Sequence, residues 1–518
     1  MARSIRTWLL WALAGAGLFG LVLVLTAVWL LQPASLKART ESTLARELKL
    51  DVSIGSLQVS FLPRPRVEGT ALVFRIPGQS DLPPFVSVDH FWMDIGLFSA
   101  LRKHIDTVHL GGLKIFVPPG EAKKALPHPT AQSVSSGKSG GSRVVLNHLE
   151  THDAELTILR KKATHAPLVF KIHSLEMDDL GFDREMPFTA SLTNPIPEGE
   201  IDTKGTIGPW PGADVWNLPV RGQYTLKDAN LATISGVQGT LTSDGQYQGR
   251  LTEITVSGKS TTPDFNLDLG GKPLPLTATF TCVVDASDGT TRLQPVDAKL
   301  FNTPIHAEGV IANLPGPGNH LIDLKVTIAD GRIEDVLRLV VDSPKPTLTG
   351  DVNIRTTVKI PPGKARVRER IALNGQFGLD AARFTDAQVQ EKLHELSRRS
   401  QGKEEGEAMA RVLTSLSGSF ELERGMLTLR RLTFHVPGAR VDLNGTYALD
   451  DGALNLEGTL QMQATVSQAV GGFKSIFIKP FDAIFKHDGA GAVVPIKITG
   501  TRDDPKFGVQ MGKAIKKK

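Results

Sequence analysis

The sequence predicts a mainly β protein: an N-terminal single transmembrane helix, then a long, twisted antiparallel β-sheet with a few short helices. Three observations lead there. Trp8 to Leu31 is a run of 24 residues without a charge. Beyond it, apolar and polar residues alternate with period two through most of the chain, the pattern of strands with one dry and one wet face. Turn signals such as Asp244-Gly245, Asp288-Gly289, Asp330-Gly331, Pro437-Gly438 and Asp450-Asp451-Gly452 recur about every 10–16 residues, which makes roughly 25–30 strands.

The apolar run is read as an anchor. At about 1.5 Å per residue it spans roughly 36 Å, enough for the ~30 Å hydrocarbon layer with some tilt. Trp8, Trp11 and Trp29 lie near its ends, where interfacial aromatics collect. A cleaved signal peptide has a shorter apolar region of about 7–15 residues and a small-residue cleavage site, and Gln32-Pro33-Ala34-Ser35-Leu36 offers none. Arg3 and Arg6 place the N-terminus in the cytoplasm, and no later segment is apolar for long enough to cross again. Gly15 to Gly20 matches GxGxxG, but no strand precedes it, so it is no dinucleotide site.

Composition narrows the function. The chain is 41% hydrophobic and 22% charged, enough apolar content for a sizeable core. The formal net charge is +5, and six cations sit at the two ends: Arg3, Arg6, Lys513, Lys516, Lys517 and Lys518. The body between them is therefore slightly acidic, which argues against nucleic-acid binding, since that needs a basic face. The single cysteine, Cys282, excludes an internal disulfide framework and a Cys-based zinc module.

After the anchor, Ser35 to Leu50 reads as a short helix with Leu36, Leu44 and Leu48 on one side. Pro118 to Ser142 is Pro- and Lys-rich and then Ser/Gly-rich, a flexible linker. The clearest strands lie late in the chain. Leu454, Leu456, Leu460 and Met462 share one parity, and Asn455, Glu457, Thr459 and Gln461 hold the other. Thr385 to Leu416 reads as helix through Val389, Leu393 and Leu396, interrupted at Gly402 and resuming at Met409, Val412, Leu413 and Leu416. Phe473, Ile476, Phe477, Phe481, Ile484 and Phe485 fall at helical spacing, with Pro480 ending or kinking any helix there. Ile254 to Leu269 and Ile496 to Met511 form an internal repeat that aligns Gly258 with Gly500, Pro263 with Pro505 and Phe265 with Phe507. Each copy is expected to run strand, loop, Pro-x-Phe, strand.

No motif argues for catalysis. Gly137-Lys138-Ser139-Gly140-Gly141 matches GxSxG, but it stands in a low-complexity loop rather than at a strand-to-helix turn. His148 and His152 have the spacing of two metal ligands on a helix, yet Leu149 stands where a zincin needs Glu. Their surroundings read as strand, where such residues lie about 13 Å apart, too far to share a metal. Acidic pairs such as Asp503-Asp504 sit beside turns and read as solvated. No cofactor and no metal ligand set is expected, and the chain is not read as an enzyme.

Several segments in a fixed order resemble a known family. Val52 to Phe74 reads VSIGSLQVSFLPRPRVEGTALVF. Phe384-Thr385 leads into VQEKLHELSRRSQG at Val389 to Gly402. FHVPGARVDLNGTYAL follows at Phe434 to Leu449, and VPIKITGTRDDPKFGVQMG at Val494 to Gly512. The chain resembles the AsmA family of the Gram-negative envelope, which is similar to bridge-like lipid-transfer proteins. The resemblance covers both ends, and Leu180 to Lys359 shares only its style. It implies a protein of the inner membrane whose periplasmic part is a taco-like β groove lined with apolar side chains. Phospholipid and the inner membrane would be partners, as would outer-membrane or other envelope proteins.

The segments expected on this reading are a cytoplasmic tail (1–7), the transmembrane helix (8–31), an N-terminal AsmA-like segment (32–117) and the linker (118–142). A middle β groove (143–360) follows, then a C-terminal module (361–512) with helices near 385–416 and 473–485, and a basic tail (513–518). Lipid chains would lie on Leu454, Leu456, Leu460 and Met462, with Phe473, Ile476, Phe477, Phe481, Ile484 and Phe485 as a lid or membrane-contacting end. A closed sandwich that carries no lipid and serves as an envelope scaffold is the competing expectation.

Overall fold

A computed structural model describes residues 33–48, 50–60, 66–78, 82–94, 104–117, 145–158, 167–181, 183–209, 211, 215–234, 236–314, 320–341, 343–363, 365–401, 414–463, 492–501 and 504–509. The expected anchor (8–31), the linker (118–142), the apolar stretch from Phe473 to Phe485, the GxSxG match and the basic tail (513–518) lie outside the described residues. Among the described residues no helix is long and apolar enough to cross a membrane. The fold is mainly β, with 26 strands and four α-helices among those residues. The chain divides into two compact units, one within 1–195, 200–224 and 248–252, the other within 196–199, 225–247 and 253–518.

The first unit opens with α1 (Pro33–Leu48), close to the helix expected from Ser35 to Leu50. Its Glu41 carboxylate accepts a 2.7 Å hydrogen bond from the Ile54 amide, and Lys37 donates to the Gly55 carbonyl at 3.2 Å. Those bonds fix α1 against β1 (Asp51–Ser53) and β2 (Ser56–Ser60), and Leu36 packs on the buried cluster of Ile54, Leu57, Val88 and Phe91. The sheet continues through β3 (Arg66–Arg75), β4 (Val86–Asp94), β5 (His104–Gly111), β6 (Lys114–Val117), β7 (Val145–Ile158), β8 (Leu168–Leu180) and β9 (Met186–Pro195).

One pairing corrects the expectation of an all-antiparallel sheet. β5 and β6 both run parallel to β7, in register from Ile105↔Leu146 to Val117↔Ile158. They also both pair antiparallel with β4, so they act as one strand broken at Gly112-Leu113, where Gly112 takes φ +65°. Parallel neighbours need a crossover of a dozen or more residues. β7 begins beside the start of β5.

Between the two groups of strands the chain forms β10 (Glu198–Ile207), β11 (Pro219–Asn230), β12 (Val237–Gln238) and β13 (Thr240–Arg250). The second unit then runs as an antiparallel meander: β14 (Glu253–Leu267), β15 (Leu274–Val284), β16 (Thr291–Leu300), β17 (Thr303–Asn313) and β18 (His320–Arg332). α2 (Ile333–Val340), β19 (Leu348–Ile360), α3 (Val367–Arg370), β20 (Ala372–Phe384) and α4 (Ala387–Ser400) follow. The last strands are β21 (Thr414–Glu423), β22 (Met426–Val436), β23 (Ala439–Ala448), β24 (Ala453–Met462), β25 (Ala492–Thr501) and β26 (Pro505–Val509). β19 and β20 pair from Leu348↔Phe384 to Lys359↔Ala372, so the boundary expected after residue 360 is no break in the sheet.

Two helical readings change. The helix expected from Thr385 to Leu416 is present over Ala387–Ser400, residues 402–413 with Met409, Val412 and Leu413 lie outside the described residues, and Leu416 lies in β21. There Leu416, Gly418, Phe420 and Leu422 alternate with Ser415, Ser417, Ser419 and Glu421, and period two prevails. α2 and α3 were not expected. α2 carries Ile333, Val336 and Leu337 at helical spacing, with Glu334 and Asp335 in its first turn and Arg338 in its last, which suits the helix dipole.

The internal repeat does not fold alike in its two copies. Ile498-Thr499-Gly500 lies in the last residues of β25, Gly500 takes φ +92°, and Gly500 pairs with Pro505 at the start of β26. In the first copy Gly258 has no positive φ and pairs with Phe280 inside β14. The β-branched Thr261 and Thr262 stand where the second copy has Asp503 and Asp504, so the strand runs on to Leu267. Pro263 is absorbed by a register shift between Thr262 and Phe265, as proline inside a sheet requires.

α2 is held to the sheet by carboxylates. Asp335 is 1% exposed and accepts from the Asn302 amide at 3.1 Å and the Thr303 hydroxyl at 3.0 Å. Asp335→Ala leaves those buried donors unpaired, and is expected to lower the unfolding free energy by about 1–3 kcal/mol. Urea titration checks this, and hydrogen exchange should show faster opening at residues 333–340.

Candidate functional site

The registers of the second unit align its apolar residues into rows that cross the strands. Residues directly opposite on paired strands share a face. The longest row is Val256, Cys282, Leu293, Gly309, Leu324 and Val358, continuing through Leu373, Leu422, Leu427, Tyr447, Leu454 and Gly500, one residue from each of β14 to β25. Two positions along most strands lies the next row, from Val296, Ala307 and Val326 through Thr356 and Gly375 to Phe420, Leu429, Gly445, Leu456 and Ile498. A third joins Ile328, Ile354, Phe377, Gly418, Leu432, Leu443, Gly458 and Ile496. A fourth joins Val352, Leu379, Leu416, Phe434, Val441, Leu460 and Val494.

The opposite face is polar across β20 to β25. Asn374, Glu421, Thr428, Thr446, Asn455 and Thr499 form one of its rows. Bulges in β15–β16, β18–β19 and β21–β22 shift the count of residues without turning the apolar rows over, because each restores parity where the strand resumes.

The helices cover the outer rows and the β18–β19 end of the third row. α2 puts Ile333 and Val336 on Val352, Leu379 and Ile328, and Leu339 on Leu274 and Leu300. α4 puts Leu393 and Leu396 on Phe434, Val436, Ala439 and Leu460. At the other rim α3 packs Val367, with Ile371 after it, on Val358, Leu373, Leu422 and Leu427. Phe377, Phe420, Leu429, Leu443, Leu456 and Ile498 belong to the two rows between, and to none of these helix-bearing clusters. Phe377 and Phe420 meet with ring centres 6.2 Å apart. The strands approach closely at two glycines of these rows: a Cβ on Gly458 would stand 1.8 Å from the Asp442 carbonyl, and one on Gly445 2.0 Å from that of Asn455.

The structure places all four strand residues expected to carry lipid on this face. Leu456 (7% exposed) lies in an inner row, Leu454 in the long outer row, and Met462 (6% exposed) at the end of β24. Leu460 packs into the α4 cluster, so protein supplies at least part of its cover. The other six, Phe473 to Phe485, lie outside the described residues. Sequence reasoning missed Phe377, Phe420, Leu429 and Leu443. Their alternation was visible, but their alignment into rows depends on bulges that no sequence pattern announces.

Cys282 stands in the long row, 7% exposed, and burial pushes its thiol from an ordinary 9.0 up to about 11. The folded chain then keeps its proton while the unfolded chain loses it. This stabilisation is present below pH 9 and disappears as pH rises through 11. Relative to Cys282→Ala, the unfolding free energy of the natural chain should therefore fall by about 3 kcal/mol between those limits. Paired denaturant titrations at pH 8 and pH 11 check it.

The first unit repeats the pattern. Leu57, Gly69, Phe91, Leu110, Thr151, Leu175 and Ala190 align across β2 to β9. Its polar face carries the histidine pair that the sequence drew attention to. His148 Nδ1 lies 2.7 Å from Asp178 and His152 Nε2 2.7 Å from Glu150, whose other oxygen is 3.1 Å from His109. The hydrogen bond with His152 holds the Glu150 carboxyl below its ordinary range, against the smaller opposing effect of burial. His148 and His152 thus serve separate carboxylates. Among the described residues no group of three or more His, Cys, Asp or Glu is placed to hold a metal ion.

No family model matches the chain. A search of curated proteins finds no match.

Proposed function

We propose that the chain is an AsmA-like, membrane-anchored protein that shelters phospholipid acyl chains along the apolar rows of its sheet and supports lipid movement toward the outer membrane. One observation carries the reading. Across β20 to β25 the inner rows of the second unit carry Phe377, Phe420, Leu429 and Ile498, which are half-buried and lie in none of the helix-bearing clusters. An apolar surface of that length needs a cover, and each CH₂ of an acyl chain that leaves water for it contributes about 0.8 kcal/mol.

The mechanism is passive. Acyl chains lie across the strands against Leu, Phe and Ile side chains, which offer no hydrogen bond and so impose no fixed register on the ligand. Headgroups stay at the wet rim. The anchor, read from Trp8 to Leu31, keeps one end of the path at the membrane. The full chain, purified in a lipid-free detergent and extracted with organic solvent, is expected to yield about one or more phospholipids per protein by mass spectrometry. Protein without lipid after mild purification would favour the scaffold reading.

A further inference from the structure

The polar face of the second unit holds an open depression of about 660 Å³ across β18 to β22. It exists because its floor carries almost no side chain. Ala329, Gly378, Ser417 and Ser419 stand side by side there, and a Cβ on Gly378 would meet no heavy atom within 4 Å. The walls are cationic. Arg355 lies on one side, in register through Gln376 and Ser419 with Arg431 on the other. The register shift in β22 turns Arg430 and Arg431, consecutive residues, to the same face. Arg430 is held by Glu421, whereas Arg355 and Arg431 have no carboxylate partner among the described residues. Asp442, the next carboxylate along β23, is bound by Arg440 and Thr433 and so is not available to them.

We propose that this depression binds an extended acidic peptide segment of a partner protein, with carboxylates four residues apart. The inference is independent of the lipid reading, since its charged and hydrogen-bonding side chains lie on the opposite face, with Ile328, Ile354, Phe377 and Gly418 of the third apolar row also bordering the depression. Three strand steps separate the two free guanidiniums, roughly 14 Å, and four residues of extended chain span about 13 Å. Each guanidinium is a planar fork that matches a carboxylate. The Ser417, Ser419 and Gln376 side chains between them supply hydrogen bonds to a peptide backbone. Phe377 also lines the depression, and its ring meets that of Phe420 in the apolar rows.

The test titrates the full chain, in detergent, with a fluorescent peptide Gly-Glu-Thr-Ser-Thr-Glu-Gly and reads anisotropy at low and high salt. The peptide is expected to bind at least tenfold more tightly than its Gln-for-Glu counterpart, and less tightly as salt rises. Arg355→Gln and Arg431→Gln should each cost about tenfold, and Arg292→Gln, on the same face but distant, should cost nothing. A double Arg355→Glu, Arg431→Glu chain should prefer the Lys-for-Glu peptide, a gain that misfolding cannot mimic. Equal binding of the Glu and Gln peptides, or an equal loss in Arg292→Gln, would overturn the proposal. So would displacement of the peptide by inorganic phosphate at equal concentration, which would assign the depression to a single small anion.

Discussion

A Gly458→Ala chain is expected to lose most of the stability of the second unit, by more than about 4 kcal/mol, the range reserved for a backbone clash in a packed element. Gly458 pairs with Leu443 on one side and Ile496 on the other, in the middle of the last four strands. A methyl there would stand 1.8 Å from the Asp442 carbonyl oxygen and 2.9 Å from the Leu443 Cα, both backbone atoms that cannot turn aside. β23 and β24 would have to separate, and the inner rows would break between Leu443 and Ile496. Gly378→Ala is the matched control. Open space surrounds the position, and the lost backbone freedom of the unfolded chain makes that change neutral or stabilising by up to about 1 kcal/mol. Urea unfolding followed by circular dichroism separates the two outcomes.

Phe420→Glu combined with Ile498→Glu is expected to reduce phospholipid recovered with the full chain by at least about tenfold, the factor that ~1.4 kcal/mol carries. Both residues lie in one inner row, on β21 and β25, and both are half-buried rather than enclosed. A carboxylate at each keeps access to water while no lipid is present, so the unliganded chain tolerates it. Acyl chains crossing the row would have to strip that water, which costs far more than the contacts return. Asn455→Leu, on the polar face of β24, should leave the yield unchanged. Loss of lipid in that variant as well would point to a general effect on folding.

Much of this was legible in the residues. The parity of Leu454, Leu456, Leu460 and Met462 already placed them on one face, because a strand with one buried side has only one way to point. The helix from Ser35 was legible from Leu36, Leu44 and Leu48. What the sequence hid was long-range. β5 pairs with β7 in parallel, and no local pattern encodes that. Leu416 was drawn into a helix because Val412 and Leu413 precede it at helical spacing, although the period-two run that begins there decides its fate. α2 was overlooked because its eight residues follow directly on a strand, and three apolar positions are too few to outweigh the period of β18. The repeat misled most. Gly258 and Gly500 align, as do the two Pro-x-Phe segments, but two threonines in place of two aspartates keep the first copy extended. The rows themselves depend on bulges between Ile328 and Gly331 and between Leu429 and Leu432, which reset the register without any mark in the composition.

The most direct measurement is a photocrosslinking scan along β24 in intact cells supplied with radiolabelled phosphate, one position at a time from Leu454 to Glu457. The account requires alternation: phospholipid attached at Leu454 and Leu456 and absent from Asn455 and Glu457. Labelling of equal strength on both parities, or none at Leu456 while the protein remains folded, would contradict the claim that fatty chains occupy this side of the sheet.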